Sequence, residues 1–508
     1  MSRIKNTKRN VLVNSISFIV LTLITFFTRK VFLDFFPIEY FGLNALCNQL
    51  LGMLSLAELG IGSAMIYSLY KPLAENNTEI VIGLMRLYKK LYSIIAFIVL
   101  VLGLVILIFL DRFVKSEVPD ELVYSIFSLY LVNSVVTYLI AYKRSLLYAN
   151  QKEYLMTISD LVIKITSLVS QIIIIYVFES FILFVVTAIL FSIIGNVYIN
   201  YIVNKRYSYI NDNMKKVDLP SPIIFEIKTN IKAIFMHKIG DFAIRSSDSL
   251  ILAYFLNLTI VGIYSNYVLI FSAISTLLMK IFGSVTASVG NLIHSSNNES
   301  TYKTFTVTHY INFVVVTNIL VGFYFLVNPF IKLWLGKEFI IGQIETMLLS
   351  ISLYLIFMRY SISSFKAAGG IYNQDKYLPL FEALILFGLC FLLVPKFGLK
   401  GLFLSQIIAS LTIPSWSKPY YVFKHVFGKP LILYYKDIGV FTLIIFFIVI
   451  VLYKILLEVQ VENLLMDMVL KSIIIFVIVN SIIIFSTYRF SSFKYLKQIF
   501  NPLKLLRI

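Results

Sequence analysis

Four charged residues near the middle of the chain are spaced to handle an ion or a charged ligand inside a membrane. They recur at intervals of three or four residues: Lys238, Asp241, Arg245 and Asp248. On an α-helix this spacing confines them to an arc of roughly 80°. Asp248 lies roughly 14 Å from the predicted helix end, near the midplane of a hydrocarbon core about 30 Å thick. The stripe is therefore either a self-neutralising ladder between helices or part of a substrate or proton pathway, because charges at that depth face a bundle interior or a watery cavity.

Glu58 is a further acid within an apolar stretch. It is followed by the small residues Gly60, Gly62, Ser63 and Ala64. Small residues let helix backbones approach closely within a membrane, and a carboxylate at this depth is either paired with a cation or protonated at rest. Glu58 therefore joins Asp241 and Asp248 as a candidate coupling or ion-pair carboxylate.

The composition is that of a polytopic membrane protein. Hydrophobic residues make up 59% of the 508 residues and charged residues only 14%, whereas soluble domains are about 25% charged. Cys47 and Cys390 lie in apolar stretches, and the four histidines are scattered. This pattern predicts no disulfide framework, no metal site, no cofactor and no catalytic residues.

Fourteen stretches are long and apolar enough to be predicted as membrane spans. They cover residues 11–33, 41–70, 86–110, 122–142, 155–178, 180–204, 226–256, 260–290, 304–331, 345–366, 377–395, 399–422, 438–454 and 470–488. The positive-inside rule supports this count, since 29 Lys and Arg fall in predicted cytoplasmic segments or at the span ends beside them, and 8 in external loops or at the span ends beside those. Both termini are thus expected in the cytoplasm. The same bias explains most of the +18 net charge, so nucleic-acid binding need not be invoked.

An internal repeat divides the chain into two halves. Asn150–Leu155 resembles Asn373–Leu378 at an offset of 223 residues, and Phe41–Leu43 resembles Val261–Ile263 at an offset of 220. Six spans per half give both halves the same orientation, so a pseudo-two-fold axis along the membrane normal is expected, with a central cavity between the bundles. The predicted domains are a six-helix bundle, a cytoplasmic linker, a second six-helix bundle, and two further helices with a basic cytoplasmic tail: residues 1–204, 205–225, 226–425 and 426–508.

Short motifs resemble those of a known transporter family. Glu58–Ala64 is similar to the acidic-Leu-Gly-x-Gly signature of bacterial polysaccharide flippases of the Wzx type, although aspartate is commoner there. Lys238–Asp241, Asp248–Leu252 and Gly262–Asn266 resemble the start of the second half of those proteins. The resemblance covers the whole chain and implies the multidrug/oligosaccharidyl-lipid/polysaccharide exporter (MOP) superfamily. It implies a bacterial cytoplasmic (inner) membrane protein that flips lipid-linked oligosaccharide repeat units.

Such a substrate carries an anionic diphosphate head and a long apolar tail. Arginine suits a diphosphate because its planar fork donates paired hydrogen bonds. Six cations within spans are candidates to line the cavity: Arg29, Lys164, Lys238, Arg245, Lys280 and Arg359. Other interpretations stay open, since Lys164 can pair with Asp160 one turn earlier, and Lys280 and Arg359 can extend to the cytoplasmic interface.

Three functions compete on this sequence. The first is flipping, by alternating access, of polyprenyl-diphosphate-linked repeat units for O-antigen or capsule synthesis; its partners are the lipid-linked oligosaccharide, membrane lipids, and a candidate polymerase and glycosyltransferases. The second is drug export within the same superfamily, which the excess of intramembrane cations disfavours. The third, a membrane glycan polymerase or acyltransferase, requires a sizeable polar loop or catalytic histidine, and none is evident. We therefore expect a transporter and not an enzyme.

Overall fold

The computed structural model describes most of the chain. The described residues are 2–54, 58, 61–110, 118–212, 219–225, 227, 247–295, 298–371, 374–459 and 461–499. Within them the protein is helical and has no strand, which confirms the predicted all-α class. Eleven described helical segments are long and apolar enough to cross a membrane; one of them, Gln343–Ala368, consists of two helices that meet at Arg359. The chain is a multi-pass membrane protein.

These eleven segments coincide with eleven of the fourteen predicted spans. The other three predicted spans are 41–70, 226–256 and 399–422, and the structure describes each of them as shorter helical pieces or only in part. Residues 228–246 lie outside the described residues. In the third, the helices Leu399–Thr412 and Pro414–Val422 are each too short to cross a membrane alone. In the first, residues 55–57, 59 and 60 lie outside the described residues. The count of fourteen therefore stays a prediction.

Contacts divide the chain into two compact units, Met1–Gly262 (unit 1) and Ile263–Ile508 (unit 2). The described helices of unit 1 are α1 (Ser2–Phe35), α2 (Ile38–Leu54), α3 (Ile61–Ala74), α4 (Thr78–Ile108), α5 (Asp120–Ala141), α6 (Arg144–Ala149), α7 (Glu153–Phe178), α8 (Phe181–Arg206), α9 (Tyr209–Asp212) and α10 (Asp248–Phe255). The long helix α11 (Leu258–Ser295) begins in unit 1. The division at Gly262 does not test the predicted bundle boundaries, which stay a prediction.

Helix α7 is held in the middle of unit 1. It packs against both α1 and α8, while α5 packs on α4 and α8. At one end of α1 the ring of Phe32 contacts four others, with centroids 5.0 to 5.7 Å apart: Phe36, Phe41, Phe181 and Phe184. Such aromatic contacts stabilise packing beyond what the burial of apolar surface alone contributes. They fix α1 against α2 and α8.

The first turns of α2 and α11 cross at two glycines related by the sequence repeat. A β-carbon added at Gly42 would lie 2.0 Å from the carbonyl oxygen of Leu258, and one added at Gly262 would lie 2.6 Å from a carbonyl oxygen of α2. At the same crossing the Thr259 hydroxyl donates to the Glu39 carboxylate at 2.7 Å. Only glycine allows backbones to approach this closely. The repeated glycines are therefore a packing feature.

Unit 2 contains the rest of α11 and the remaining helices. These are α12 (Asn298–Trp334), α13 (Gln343–Met358), α14 (Tyr360–Ala368), α15 (Leu378–Phe397), α16 (Leu399–Thr412), α17 (Pro414–Val422), α18 (Ile432–Glu458), α19 (Leu464–Thr487) and α20 (Ser491–Ile499), with a 3₁₀ turn at Lys337–Phe339 and a π-helical turn at Phe423–Phe427. The two helices outside the repeat, α18 and α19, pack on α12. The side chains of Asn318 and Asn480 exchange hydrogen bonds of 2.9 and 3.3 Å across this contact. Interhelical bonds of this kind stabilise helix packing in lipid.

Candidate functional site

Glu58 lies in the second predicted span, in the sequence between α2 and α3. It has a 3₁₀ conformation, and its neighbours 55–57, 59 and 60 lie outside the described residues. A carboxylate within an apolar span needs polar partners, because charge in a membrane is costly.

Two tyrosines of α4 form a hydrogen-bonded chain that ends at the Glu58 carboxylate. The Tyr92 hydroxyl donates to Glu58, and the Tyr88 hydroxyl donates to that of Tyr92 at 3.1 Å. The two rings lie edge to face, with centroids 4.6 Å apart. The sequence predicted a cation or a proton as the partner of this acid, and the described partners are hydroxyl groups.

Gly62 makes room for this cluster. A β-carbon added there would lie 2.9 Å from the Glu58 Oε1 atom and 3.3 Å from each of the two tyrosine hydroxyls. Any side chain at this position would displace the carboxylate or the hydroxyls. The spacing of the acid and the second glycine in the Glu58–Ala64 motif thus has a direct physical reason.

A second polar cluster surrounds Arg144 at the start of α6. Its two terminal nitrogens donate to the two oxygens of Asp160 on α7 at 2.8 and 2.9 Å, and its Nε donates to the Asn196 side chain on α8 at 3.2 Å. Paired bonds of this kind between guanidinium and carboxylate are among the strongest charged contacts in proteins. Asp160 therefore binds Arg144 and does not pair with Lys164.

Lys164 extends the polar face of α7. It lies one turn beyond Asp160 on the same side of the helix, while the exposed apolar residues Ile158, Val162 and Val169 lie on the opposite side. The Lys164 side chain is exposed and forms no hydrogen bond or ion pair with any residue that the structure describes. Its position fits the predicted role in lining a polar cavity, which stays a prediction.

Asparagines on α8 connect these groups to the next helices. Asn196, Asn200 and Asn204 follow one another at intervals of four residues and share a face of α8. Asn196 also donates to Thr137 on α5 at 3.5 Å, and Asn204 accepts from Lys143. Burial, and then the nearby charge of Lys89, lowers the pKa of Lys143. Lys143 and Lys89 add positive charge at this end of unit 1.

The acid cluster and the arginine cluster are neighbours. Ser145, next to Arg144, lies 3.9 Å from the sulfur of Met85, one turn before Tyr88 on α4. Tyr138, next to Thr137, contacts the ring of Tyr92 with centroids 5.9 Å apart. We call the two clusters together the polar network of unit 1; its members are Glu58, Tyr88, Tyr92, Arg144, Asp160, Lys164 and Asn196.

The other predicted cations have different surroundings. The Arg29 guanidinium lies 4.1 Å above the ring centroid of Phe41, a cation–π arrangement. The neighbouring Lys30 forms a 2.6 Å ion pair with Asp34 on the exposed side of α1. Lys280 is exposed on α11. None of these contacts tests the predicted substrate-binding role.

Arg359 stands at an interruption in unit 2, between α13 and α14. Its guanidinium is buried and donates to the carbonyl and hydroxyl groups of Ser410 and to the Ser415 hydroxyl, at the end of α16. This contact stabilises the negative end of a helix. The Arg359 guanidinium is thus engaged by protein groups within unit 2, and its predicted role in substrate binding stays untested.

Three of the four residues of the central charged stripe, Lys238, Asp241 and Arg245, lie outside the described residues. The fourth, Asp248, begins α10. Among the residues that the structure describes, no group of three or more His, Cys, Asp or Glu side chains is arranged to hold a metal ion.

Sequence reasoning missed Arg144, Asn196, Tyr88 and Tyr92. Arg144 follows the fourth predicted span and was counted with the cytoplasmic segment, although the chain continues as α6. The asparagine repeat on α8 and the spacing of Tyr88 and Tyr92 by one helical turn were available signals. Polar side chains that recur on one face of an apolar helix indicate a buried polar contact.

Comparison with solved structures identifies the class of fold. The chain is similar to the lipid II flippase MurJ in an inward closed conformation, with a TM-score of 0.64 and 16% identity over 94% of this chain and 100% of that one. It is also similar to an inward-facing multidrug resistance MATE family transporter of the MOP superfamily, with a TM-score of 0.60 and 13% identity over 81% and 98% of the two chains. A mutant of the Vibrio cholerae MATE transporter VcmN matches with a TM-score of 0.53 and 15% identity over 85% and 99%.

These likenesses establish a MOP-like fold, as the sequence predicted. At such low identity they establish the fold alone, and the narrower resemblance to the Wzx type stays a prediction. No family model matches the chain. No curated protein matches it either.

Proposed function

We propose that this protein is a flippase for polyprenyl-diphosphate-linked oligosaccharide repeat units. It moves them by alternating access from the cytoplasmic to the outer leaflet of a bacterial cytoplasmic membrane, for O-antigen or capsule synthesis. The lipid-linked oligosaccharide is the substrate, and a polymerase and glycosyltransferases of the same pathway are its partners. The protein itself is a transporter and carries out no chemical step.

The observation that carries the proposal is the arrangement of cations inside unit 1. Arg144 presents a two-pronged site on the inner side of α7, and Lys164 stands exposed one turn further along. Arginine forks match phosphate oxygens, and a lysine adds charge to the same ligand. An anionic head group fits this surface better than a cationic drug does.

The extent of the structural likeness gives further support. The match to the MurJ structure covers 94% of this chain and the match to the MATE transporter covers 81%, a difference of about 66 of the 508 residues. The flippase structure therefore accounts for more of this chain than the drug transporter structure does.

Deletion of the gene tests the proposal. The deletion strain is expected to lose its surface glycan and to accumulate lipid-linked repeat units, because synthesis continues on the inner leaflet while export stops. Antibody detection of the glycan and extraction of the lipid-linked intermediates measure the two effects. Normal glycan with no accumulation of intermediates would contradict the proposal.

Drug export remains the second candidate because of the Glu58 cluster. The Glu58 carboxylate is bonded to Tyr92, whose ring contacts the rings of Tyr88 and Tyr138. An acid beside aromatic rings is a suitable environment for an organic cation, and the similar structures include MATE transporters. The deletion strain distinguishes the two functions. Increased sensitivity to cationic drugs with unchanged glycan would favour export.

The proposed orientation has both termini and residues 205–225 in the cytoplasm. Single cysteines at Ser208, Ser116 and Ser491, introduced in a background lacking Cys47 and Cys390, test it. An impermeant thiol reagent applied to intact protoplasts is expected to label only position 116, because the positive-inside rule places the other two positions inside. Labelling at position 208 would overturn the fourteen-span topology.

A further inference from the structure

The Arg144–Asp160 pair has the form of an occupied anion site. Two nitrogens of one guanidinium face two oxygens of one carboxylate at 2.8 and 2.9 Å. A phosphate group presents oxygens to the same fork in the same way. The pair lies on the polar face of α7 roughly 10 Å from the start of that helix, so a charged ligand in the interior of unit 1 would compete for the same nitrogens.

The exposures of the two partners of Arg144 differ. The Asp160 side chain is 45% exposed, whereas Asn196, which binds the Arg144 Nε, is buried. Asn196 therefore holds the guanidinium in place, and only Asp160 can leave without disrupting the packing. The half-exposed carboxylate of Asp160 is therefore open to competition from a ligand that makes the same paired bonds to Arg144.

A displaced Asp160 has a second cation within reach. Lys164 lies four residues further along α7 and has no partner among the described residues. Side chains at this spacing on a helix approach each other closely enough to form an ion pair. Asp160 thus stands between two cations and can bind either one.

We propose that Asp160 is an internal substitute for the phosphate group of the substrate. An incoming phosphate takes the Arg144 fork, and Asp160 turns to Lys164. When the phosphate leaves, Asp160 returns to Arg144 and prevents the phosphate from binding again. Asp160 is then a positioning residue that sets how tightly the head group is held and how fast it is released. This inference rests on the proposed flippase function.

Unit 2 contains an ion pair that lacks these properties. Lys366 stands 222 residues after Arg144, close to the repeat offset, and pairs with Asp375. The side chains there are only 14% and 3% exposed, so a ligand has no access to them. A lysine also lacks the planar fork that a phosphate would share. The unit 2 pair is therefore a structural contact and serves as the control.

Affinity for phosphate-bearing lipids tests the proposal in the full-length protein in nanodiscs. Asp160→Asn removes the competing charge and is expected to bind polyprenyl diphosphate about tenfold more tightly, while Arg144→Lys is expected to bind it about tenfold more weakly. Asp375→Asn is expected to stay within about twofold of the unsubstituted protein. Unchanged or weaker binding by folded Asp160→Asn would overturn the proposal.

The probes separate the sources of the phosphate. Inorganic pyrophosphate tests whether the charged group suffices, and nanodiscs with and without phosphatidylglycerol test whether an ordinary lipid head group occupies the fork. The proposal expects the effect of Asp160→Asn with polyprenyl diphosphate at both lipid compositions. If Asp160→Asn changes only the binding of phosphatidylglycerol, the site binds membrane lipid and the substrate role is wrong.

A double-mutant cycle between Lys164 and Asp160 tests the proposal independently of any single variant. Lys164→Gln removes the alternative partner of Asp160, so it is expected to weaken binding about threefold in the unsubstituted protein and to have a smaller effect in the Asp160→Asn background. Equal effects in both backgrounds would show that Lys164 and Asp160 act independently, against the proposal.

Surface glycan distinguishes this proposal from the proposed function. Asp160→Asn is expected to reduce glycan export despite its tighter binding, because release becomes slow. If the unsubstituted protein fails to restore glycan in the deletion strain, the flippase function itself is wrong. If it restores glycan and Asp160→Asn does so equally well, only the role of Asp160 is wrong.

Discussion

The two units bind their polar groups in opposite ways. In unit 2, Arg359 and Asn312 are buried and donate to backbone carbonyl oxygens at helix ends. In unit 1, the Glu58 carboxylate accepts from the Tyr92 hydroxyl, and Arg144 pairs with the Asp160 carboxylate. Bonds to helix ends hold the backbone in place, whereas bonds between side chains can exchange partners. We therefore expect substitutions at the unit 2 sites to affect stability and those at the unit 1 sites to affect transport.

The largest effect on stability is expected for Arg359→Met. The substitution leaves the Ser410 carbonyl and two serine hydroxyls at the end of α16 without their charged donor. We expect a loss of about 2–4 kcal/mol in the free energy of unfolding and a clear drop in membrane abundance. Thermal unfolding in detergent measures it, with the exposed residue Arg489 changed to Met as the control. Normal stability with lost transport would instead support a substrate role for Arg359.

A smaller loss of stability is expected for Asn312→Leu. The Asn312 amide donates to the carbonyl oxygens of Phe357 and Met358 at 3.1 and 2.9 Å, where α13 ends. Leucine keeps the size but leaves two buried acceptors unsatisfied, which costs about 2 kcal/mol. Asn312→Asp, which keeps the shape but not the donor, should lower the unfolding temperature as well. An unchanged unfolding temperature in both variants would remove the structural account of this interruption.

Gly62→Ala is expected to impair transport more than stability. The added methyl group would lie 2.9 Å from the Glu58 carboxylate, so the cluster must shift at a cost of about 1 kcal/mol. We expect at least about tenfold slower export at nearly normal abundance, because a small displacement of a functional group slows the step that it serves. Gly388→Ala is the control, since a β-carbon there meets nothing within 4 Å. Full transport by Gly62→Ala would count against a functional role for Glu58.

The smallest effect on stability is expected for the two tyrosines. Tyr92→Phe removes the hydroxyl that donates to Glu58, and Tyr88→Phe removes the next hydroxyl in the chain. We expect about 1 kcal/mol for the first and less for the second. A functional cluster further predicts that Tyr92→Phe alone alters the dependence of export on pH. If both variants leave export unchanged at every pH, the cluster is only a packing contact.

The sequence predicts the long spans well because a single local property, the length of an apolar run, identifies them. A run of 18 or more apolar residues can cross the membrane core whatever the rest of the fold is. The interrupted span formed by α16 and α17 is harder to predict, since its two short helices depend on contacts with other helices. Pro414 is a local signal of that interruption.

The polar contacts are less predictable because they join distant residues. Asp160 has a local candidate partner in Lys164 at four residues, and the structure pairs it with Arg144 at 16 residues. Local spacing cannot reveal which partner is chosen, because that depends on how α6 packs on α7. Similarly, the serines that bind Arg359 lie more than 50 residues later in the chain. Charged residues within spans can be found from the sequence, but their partners require the fold.

Transfer of lipid-linked oligosaccharide across a membrane by the purified protein tests the central claim most directly. Vesicles containing the protein and a fluorescent polyprenyl-diphosphate-linked oligosaccharide are treated with an impermeant quencher, which reports the fraction in the outer leaflet over time. The account predicts protein-dependent transfer that Arg144→Lys slows by about tenfold and that Asp375→Asn leaves nearly unchanged. Vesicles that accumulate a cationic drug but do not transfer the lipid-linked oligosaccharide would contradict it.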